Sequence, residues 1–358
     1  MITISAHRGV ALITVMLVVA LAAILTTQMT AKLQLQLQRS ANIDANQQAY
    51  WLAMGAETFA KRILIMSFDG AGSNTHLDQL WAQGENTYPV ENGEITGEIT
   101  DLQSCFNLNA LRDPANPVSN AGNSESNVEN APLLAPSPSP SSAPSKTGSQ
   151  NNNLPAAALE KLILDIGIEN ISSFEAKDMV DALTDWLDED GMVTNSGGAE
   201  DSDYSSKEYP YLSANNYLGS FNELRIVEHF TLEAINELKP YVCVIPNSNL
   251  HKINVNTVDP KNIEILTALL GITKSEADNI VSGRGDEGYK NIDDVFALPE
   301  LKKHEFTQQQ KDQLVVNSEY FKLKTKVTFS DSYFFLNSIM KIEKNNQINI
   351  ISRTIGRD

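Results

Sequence analysis

Basic side chains are scarce in this sequence: 27 Lys and Arg stand against 45 Asp and Glu in 358 residues, a net charge of −18. Affinity for nucleic acid rests on cationic neutralisation of phosphate, so this balance argues against a nucleic-acid partner and favours cations or basic protein surfaces. Histidine is also rare. His7, His76, His229, His251 and His304 show no H-E-x-x-H or other metal spacing, and none lies in a nucleophile motif. "SGRGDEG" follows a helical pattern rather than a strand, which makes it a poor phosphate loop. Asp188 and Glu200 have the chemistry of a hydrolase pair, but no sugar-binding aromatic cleft accompanies them in the sequence. These absences argue against an enzyme. There are only two cysteines, and no proline occurs before Pro89.

What is present begins with one long apolar run. Val10 to Ala31 carries no charge, and a bilayer core about 30 Å thick needs roughly 20 helical residues, more than the 7 to 15 or so of a secretory h-region. An A-x-A match at Ala20-Leu21-Ala22 leaves cleavage after Ala22 open by motif. The helical pattern nevertheless continues through Leu33, Leu37, Ala41, Ala45, Ala49, Ala53, Ala56, Ala60 and Leu64 at spacings of three and four. One helix of about 55 residues is predicted, apolar all round in its first half and amphipathic in its second.

Beyond it, "TYPVENGEITGEITDLQSCFNLN" reads as a β-hairpin turning at Asn92-Gly93. "YVCVIP" is a further short strand. "EYFKLKTKVTF", "DSYFFLNSIMKIEK" and "QINIISRTI" read as three antiparallel strands with turns at Ser330-Asp331 and Asn345-Asn346. Between them, residues 115–153 are rich in Asn, Ser, Pro and Ala and read as a disordered loop. "LPAAALEKLILDIGI" and "EAKDMVDALTDWLDED" are helices with apolar stripes. A faint repeat relates "FNLNALRDP" and these helices to "INVNTVDP" and "IEILTALLGITKSEADNIVSGR". The second copy, within 250–303, resembles a helix-hairpin-helix, which makes a DNA receptor of a competence-type system the rival function. Its seven Lys and Arg against nine Asp and Glu, and the missing second glycine of the turn, favour an architectural role.

The densest chemistry is "TDWLDEDGMVTNSGGAEDSDYSS". Asp185, Asp188, Asp190, Glu200, Asp201 and Asp203 crowd around a Gly197-Gly198 turn. So many carboxylates repel one another unless a cation or solvent intervenes, and Ca²⁺ takes six to eight hard oxygen ligands. The spacing is not that of an EF-hand, and an acidic solvated loop is the plain alternative.

A short basic leader ending in Gly9, followed by an apolar helix that runs into a soluble domain, resembles a type IV prepilin or pseudopilin. In that family a dedicated prepilin peptidase cuts after the glycine, here before Val10, where Phe or Met is more usual. Most members carry Glu at mature position five; this chain has Thr14. The missing carboxylate, the length, the "CFNLN" and "YVCVIP" pair, the acidic loop and the duplicated helices resemble the minor pseudopilin K family of type II secretion. The resemblance implies an α+β, pilin-like fold: a long N-terminal transmembrane helix packed on an antiparallel β-sheet, plus a large inserted α-helical domain. The corresponding divisions are a leader at 1–9, a transmembrane part at 10–31 and a periplasmic helical part at 32–66. A pilin-like domain at 67–109 and 240–358 and an insertion at 110–239 complete them. It further implies a single-pass protein of the inner membrane with its C-terminal domain in the periplasm. Its partners would be the minor pseudopilins I, J and H and the inner-membrane assembly platform. Its role would be to initiate the pseudopilus at its tip and serve export of folded proteins across the outer membrane. Calcium would be bound in the insertion by the six carboxylates above. For a cytosolic chain Cys105 and Cys243 would read as two free thiols, but a periplasmic location turns them into a disulfide stapling the insertion.

Overall fold

The computed structural model describes residues 8–68, 74–112, 154–330, 332–343 and 347–356. The leader before Arg8, the expected loop 115–153 and the expected turn at Asn345-Asn346 lie outside the described residues. In chain order the elements are α1 (Arg8–Phe68), β1 (Asn86–Val90), β2 (Gly93–Asp101), β3 (Phe106–Asn107), α2 (Leu154–Ile166), α3 (Ser173–Leu187) and α4 (Asp201–Ser205). There follow α5 (Leu232–Leu238), β4 (Val242–Cys243), β5 (Ile253–Asn254), α6 (Glu264–Leu270), α7 (Lys274–Ser282), α8 (Ile292–Phe296) and α9 (Gln308–Asp312). The chain closes with β6 (Leu314–Val315), β7 (Tyr320–Phe329), β8 (Ser332–Ile342) and β9 (Ile348–Ile355).

The five long strands form one antiparallel sheet in the order β1-β2-β7-β8-β9. Asn92 adopts φ 62° at the tip of the first hairpin, and Gly93 lies so close to the Thr328 carbonyl that a Cβ would collide with it. The alanine stripe of α1 explains how the helix meets this sheet. Small side chains let helix and sheet approach closely, and burial of the larger partners supplies the driving force. Ala49 and Ala53 pack with Val327 and Leu336, and Ala60 and Leu64 with Ile99, Phe321 and Met340. Leu33, Leu37 and Ala41, predicted to continue that stripe, are exposed; packing begins around Ala45. An ion pair between the buried Glu57 and the exposed Arg353 ties helix to sheet. Glu57 of α1 accepts Arg353 Nε at 2.8 Å, Arg353 Nη2 at 2.9 Å and Ser338 Oγ at 2.7 Å. Burial alone would raise the Glu57 carboxyl, but the hydrogen bonds from Arg353 and Ser338 outweigh it and hold the group below its ordinary value.

These contacts also give direction. The apolar start of α1 is one end of the molecule, and the sheet ends bearing Asp101 and Tyr320 lie at the other, beside Ala60 and Leu64. Residues 102–319 are inserted between the neighbouring strands β2 and β7, at that far end. The inserted unit is therefore larger than the expected 110–239. One continuous core runs from Phe106 to Leu314, so the 250–303 segment, expected with the sheet, packs with the first helices instead. Thr267 of α6 donates to Asp165 of α2 at 2.6 Å across that contact. The "CFNLN" and "YVCVIP" segments, expected among the sheet strands, form a separate two-stranded parallel ladder, β3-β4. Cys105 and Cys243 are disulfide-bonded at its base, with Cα atoms 5.8 Å apart.

The faint repeat is a real duplication. β5 and β6 pair in parallel just as β3 and β4 do, with the intervening helices in each case closing a loop between them. The N-x-N asparagines play matching parts. Asn109 exchanges hydrogen bonds with the backbone of Leu218, and Asn256 does the same with Tyr289. Each bridges from the strand end to the loop after the second helix of its copy. Polar groups sealed in a core must be paired in this way or cost about 1–3 kcal/mol.

Helix α3, which carries the acidic loop, starts at a capping box: Glu175 N donates to Ser172 Oγ and Ser172 N to Glu175 Oε2. Replacing Ser172 with Ala is expected to cost about 1 kcal/mol. The denaturation midpoint should fall with an unchanged m-value; an unchanged midpoint would deny the cap a role.

Candidate cation site in the acidic loop

Helix α3 ends at Leu187, with Asp188 leaving it in an extended conformation. The helix end is anchored by aromatic packing: Trp186 meets the fully buried Tyr204 edge-on at 5.1 Å, and Tyr211 packs on Tyr204 at 5.3 Å. The loop then folds back against α3. Both oxygens of the buried Asp185 accept the Thr194 N–H at 3.0 Å. Gly198 passes so near that a Cβ would stand 2.1 Å from Asp185 Oδ2, and one on Gly197 would stand 2.4 Å from Asp178 Cα. The predicted glycine turn is thus required by close approach, and it returns the chain to Glu200.

Three of the six predicted carboxylates converge. Asp188, Asp190 and Glu200 each place an oxygen within 4.8 Å of the others. Asp188 Oδ1 and Glu200 Oε1 are buried with no hydrogen-bond partner among the described residues, and Glu200 is only 3% exposed. The remaining three are engaged locally. Asp185 holds Thr194, Asp201 accepts Ser213 N at 3.0 Å and Ser213 Oγ at 2.6 Å, and Asp203 accepts Glu200 N at 3.0 Å. Density of acidic residues in sequence could not separate these two groups.

Two ligands of one cation at about 2.3–2.6 Å can be as much as about 5 Å apart, so the spacing of the three oxygens suits an ion the size of Ca²⁺. The orphaned oxygens fit that chemistry too, because buried acceptors without donors call for a cation. The surrounding field agrees: residues 104–317 carry 15 Lys and Arg against 32 Asp and Glu, while the rest of the chain carries 12 against 13. Burial, reinforced by the charges of Asp190, Asp185 and Glu200, pushes the Asp188 carboxyl up to about 7. Burial also raises Asp185 and Glu200.

With no cation bound, the folded chain therefore keeps the Asp188 proton over a range where an unfolded aspartate, with its pKa near 4, has lost it. Stability from this group is full below about pH 4 and is lost as pH rises through 7. In chelator, the denaturation midpoint is expected to fall between pH 5 and pH 7.5, and Asp188→Asn should flatten that decline. A variant declining as steeply as the wild type would contradict the assignment.

The helix-hairpin-helix candidate has its own geometry. Gly271 takes the left-handed conformation, φ 67°, at the α6–α7 turn. The position a phosphate would occupy at the start of α7 is taken by the protein's own Glu276, whose Oε2 accepts Thr273 N at 2.9 Å and whose Oε1 meets Lys303 at 2.9 Å. Lys274 is paired with Glu264 at 2.8 Å, and Arg284 donates to the Val258 carbonyl at 2.7 Å.

The inserted unit also decides kinship. Family models described as type II secretion system protein K match residues 104–247 and 253–317. The chain belongs to the type II secretion system protein K family. Protein K of Aeromonas hydrophila is 33% identical over 284 residues, covering 79% of this chain and 77% of that one. Protein K of Klebsiella pneumoniae is 30% identical over 352 residues, covering 98% and 97%. The solved structure of the GspK-GspI-GspJ complex from enterotoxigenic Escherichia coli contains a chain that superposes with a TM-score of 0.71. It is 25% identical to this chain, of which the match covers 89%, and all of that chain is covered. The chain is a minor pseudopilin K with a long apolar N-terminal helix, an antiparallel sheet and an inserted helical unit. The two matched segments meet between residues 247 and 253, where one repeat gives way to the next.

Of the processing pair, Gly9 lies within α1 and Val10 is exposed on it. Thr14, at the position where the pilin resemblance would place a Glu, satisfies its hydroxyl locally on the Ala11 carbonyl at 2.9 Å. Sequence reasoning does not single out Arg112, whose side chain pairs with Glu189 of the acidic loop. Its only sequence signal is a lone basic residue after "FNLNAL".

Proposed function

We propose that this chain caps the tip of a type II secretion pseudopilus, starting its assembly and serving export of folded proteins across the outer membrane. The reading places α1 as a single-pass anchor in the inner membrane, with the sheet and the helical unit in the periplasm. A prepilin peptidase would release Val10 by cutting after Gly9, and the inner-membrane assembly platform would receive the product. Its companions would be the minor pseudopilins I and J, which stand beside GspK in the superposing complex, together with H. No catalytic step belongs to this role. In the same reading, calcium occupies the site formed by Asp188, Asp190 and Glu200.

The observation that carries the tip assignment is the place of the insertion. Residues 102–319 project from the end of the sheet farthest from the apolar start of α1, where the next subunit of a growing fibre would have to stack. Thr14 adds to it, because it offers no carboxylate for a neighbour's N-terminal amine inside the bilayer. The exposed apolar side chains Trp51, Phe59 and Met66 on the second half of α1 supply a surface for neighbouring helices. Crosslinking from residues Gln34 to Ile65 in assembled pseudopili should map to one end of the fibre and to the other minor pseudopilins. Even distribution along the shaft would refute the tip role.

The DNA-receptor alternative is disfavoured by the Glu276 carboxylate at the α7 N-terminus and by the engagement of Lys274 and Arg284 within the fold.

A further inference from the structure

The sequence Asp188-Glu189-Asp190 places three carboxylates in a row, but only the outer two join the cluster with Glu200. Glu189 faces elsewhere. It pairs with Arg112, whose side chain is buried. The same guanidinium donates through Nη1 to the Leu187 carbonyl at 2.7 Å, at the end of α3, and to the Asn215 carbonyl at 3.4 Å. It also lies 4.6 Å from the centre of the Tyr217 ring. Its own backbone is fixed, with N donating to the Asn109 carbonyl at 3.3 Å and O accepting Asn249 Nδ2 at 3.4 Å.

One immobilised cation therefore ties together each wall of the site. Leu187 and Glu189 belong to the wall bearing Asp188 and Asp190. The Asn215–Tyr217 segment continues from Ser213, which donates to Glu200 Oε2 at 3.4 Å. Asp188 leaves α3 with φ −75° and ψ 178°, and the chain bends through Glu189 and Asp190. With Glu189 held by Arg112 on one side of this bend, Asp188 and Asp190 converge with the buried Glu200, whose Oε1 has no hydrogen-bond partner among the described residues.

We propose that Arg112 is the positioning residue of the cation site, acting through Glu189 to aim Asp188 and Asp190 at Glu200. This rests on the cation reading of the loop. The sign of the effect separates positioning from plain electrostatics. Arg112 is a positive charge near a site for a positive ion, so by Coulomb's law alone its removal would tighten binding. Loss of positioning has the opposite sign, and loss of a group that orients metal ligands typically weakens binding 10- to 100-fold.

The test is calorimetric titration of CaCl₂ into the full chain in detergent, for the wild type, Arg112→Gln, Arg112→Lys, Glu189→Ala, Glu189→Gln and the Arg112→Gln, Glu189→Ala double variant. Arg112→Gln and Glu189→Ala should each weaken Ca²⁺ roughly 10- to 100-fold, and the double variant no further than the weaker single. Glu189→Gln keeps an acceptor for Arg112, and Arg112→Lys keeps a cation beside Glu189, so both should retain most of the affinity. Melting provides the control: the gain in melting temperature from chelator to millimolar Ca²⁺, taken within each variant, should shrink in Glu189→Ala and persist in Glu189→Gln, whereas a merely structural role would lower both melting temperatures of Glu189→Ala and leave the gain unchanged. Wild-type binding accompanied by equal or tighter binding in Arg112→Gln would overturn the positioning role alone. Failure of the wild type to bind Ca²⁺ at millimolar concentration would overturn the cation reading and the positioning role with it.

Discussion

Replacing Cys105 and Cys243 with serine is expected to destabilise the inserted unit by roughly 4 to 5 kcal/mol, because the bridge closes a loop of very high sequence separation. The pair spans 138 positions and sits at the mouth of the first repeat, where β3 and β4 contribute only two residues each. So short a ladder cannot hold the two ends of the repeat by its own hydrogen bonds. In the chain-entropy account the bridge acts mainly by shrinking the unfolded ensemble, so the loss should appear even though the surrounding contacts of Leu102, Ile245 and Tyr320 survive. At about 2–4 °C per kcal/mol for a body of this size, melting should fall by roughly 10 °C or more. Limited proteolysis should then cut within 106–242 while the sheet, with its Glu57–Arg353 lock, stays intact. Unchanged melting in the serine variant would mean that the second repeat alone holds the first in place.

How much of this was legible beforehand follows from the range of the forces involved. Spacings of three and four marked α1, and Asn92-Gly93 marked the first hairpin, because both depend on neighbours within a few residues. The three closing strands were legible for the same reason. Partner choice was not. The sequence alone does not reveal that β2 neighbours β7 across residues 102–319, or that two-residue strands pair in parallel within each repeat. The α6 helix was legible within the helix-hairpin-helix pattern, but the choice between packing on the sheet and packing on α2 is made by Asp165, Leu159 and Leu162 far away in the chain. The start of packing on α1 was missed in the same way. Leu33 and Leu37 keep the period, yet the sheet does not extend down to meet them.

The acidic loop shows the same division at a finer scale. That a metal-sized concentration of carboxylate existed was plain from six acidic residues around two glycines. Which of them face one another depends on where local donors stand. Ser213 claims Asp201, the Glu200 N–H claims Asp203, and Thr194 claims Asp185, whereas Asp190 and Glu200, though they accept from Met192 N and Ser213 Oγ, still place an oxygen within 4.8 Å of Asp188. The glycine turn was legible, but not that its glycines permit contact with Asp178 and Asp185.

Removing calcium should be the second large effect. Without an ion, Asp188, Asp190 and Glu200 are crowded together, two of their oxygens are buried and unpaired, and the Asp188 carboxyl titrates only near 7. A divalent cation relieves each of these costs at once. It supplies the missing partner, cancels the mutual repulsion and favours the ionised carboxylates. If it binds only the folded chain, it stabilises by RT ln(1 + [L]/Kd), about 2.7 kcal/mol at a hundredfold excess and about 4.1 at a thousandfold. Chelation should accordingly lower the melting temperature by several degrees and open residues 191–196 to protease, because that stretch is held to α3 chiefly by the Asp185–Thr194 and Asp181–Asn195 hydrogen bonds. Ca²⁺ should restore both, and Mg²⁺ should do so poorly, since it demands a tighter octahedron. The Asp188→Asn, Glu200→Gln variant should behave differently from the chelated wild type in one respect. It removes two of the three charges, so its stability should no longer fall from pH 5 to pH 7.5, while its response to Ca²⁺ disappears. A variant that still gains several degrees from millimolar Ca²⁺ would locate the ion elsewhere, among Asp185, Asp201 and Asp203.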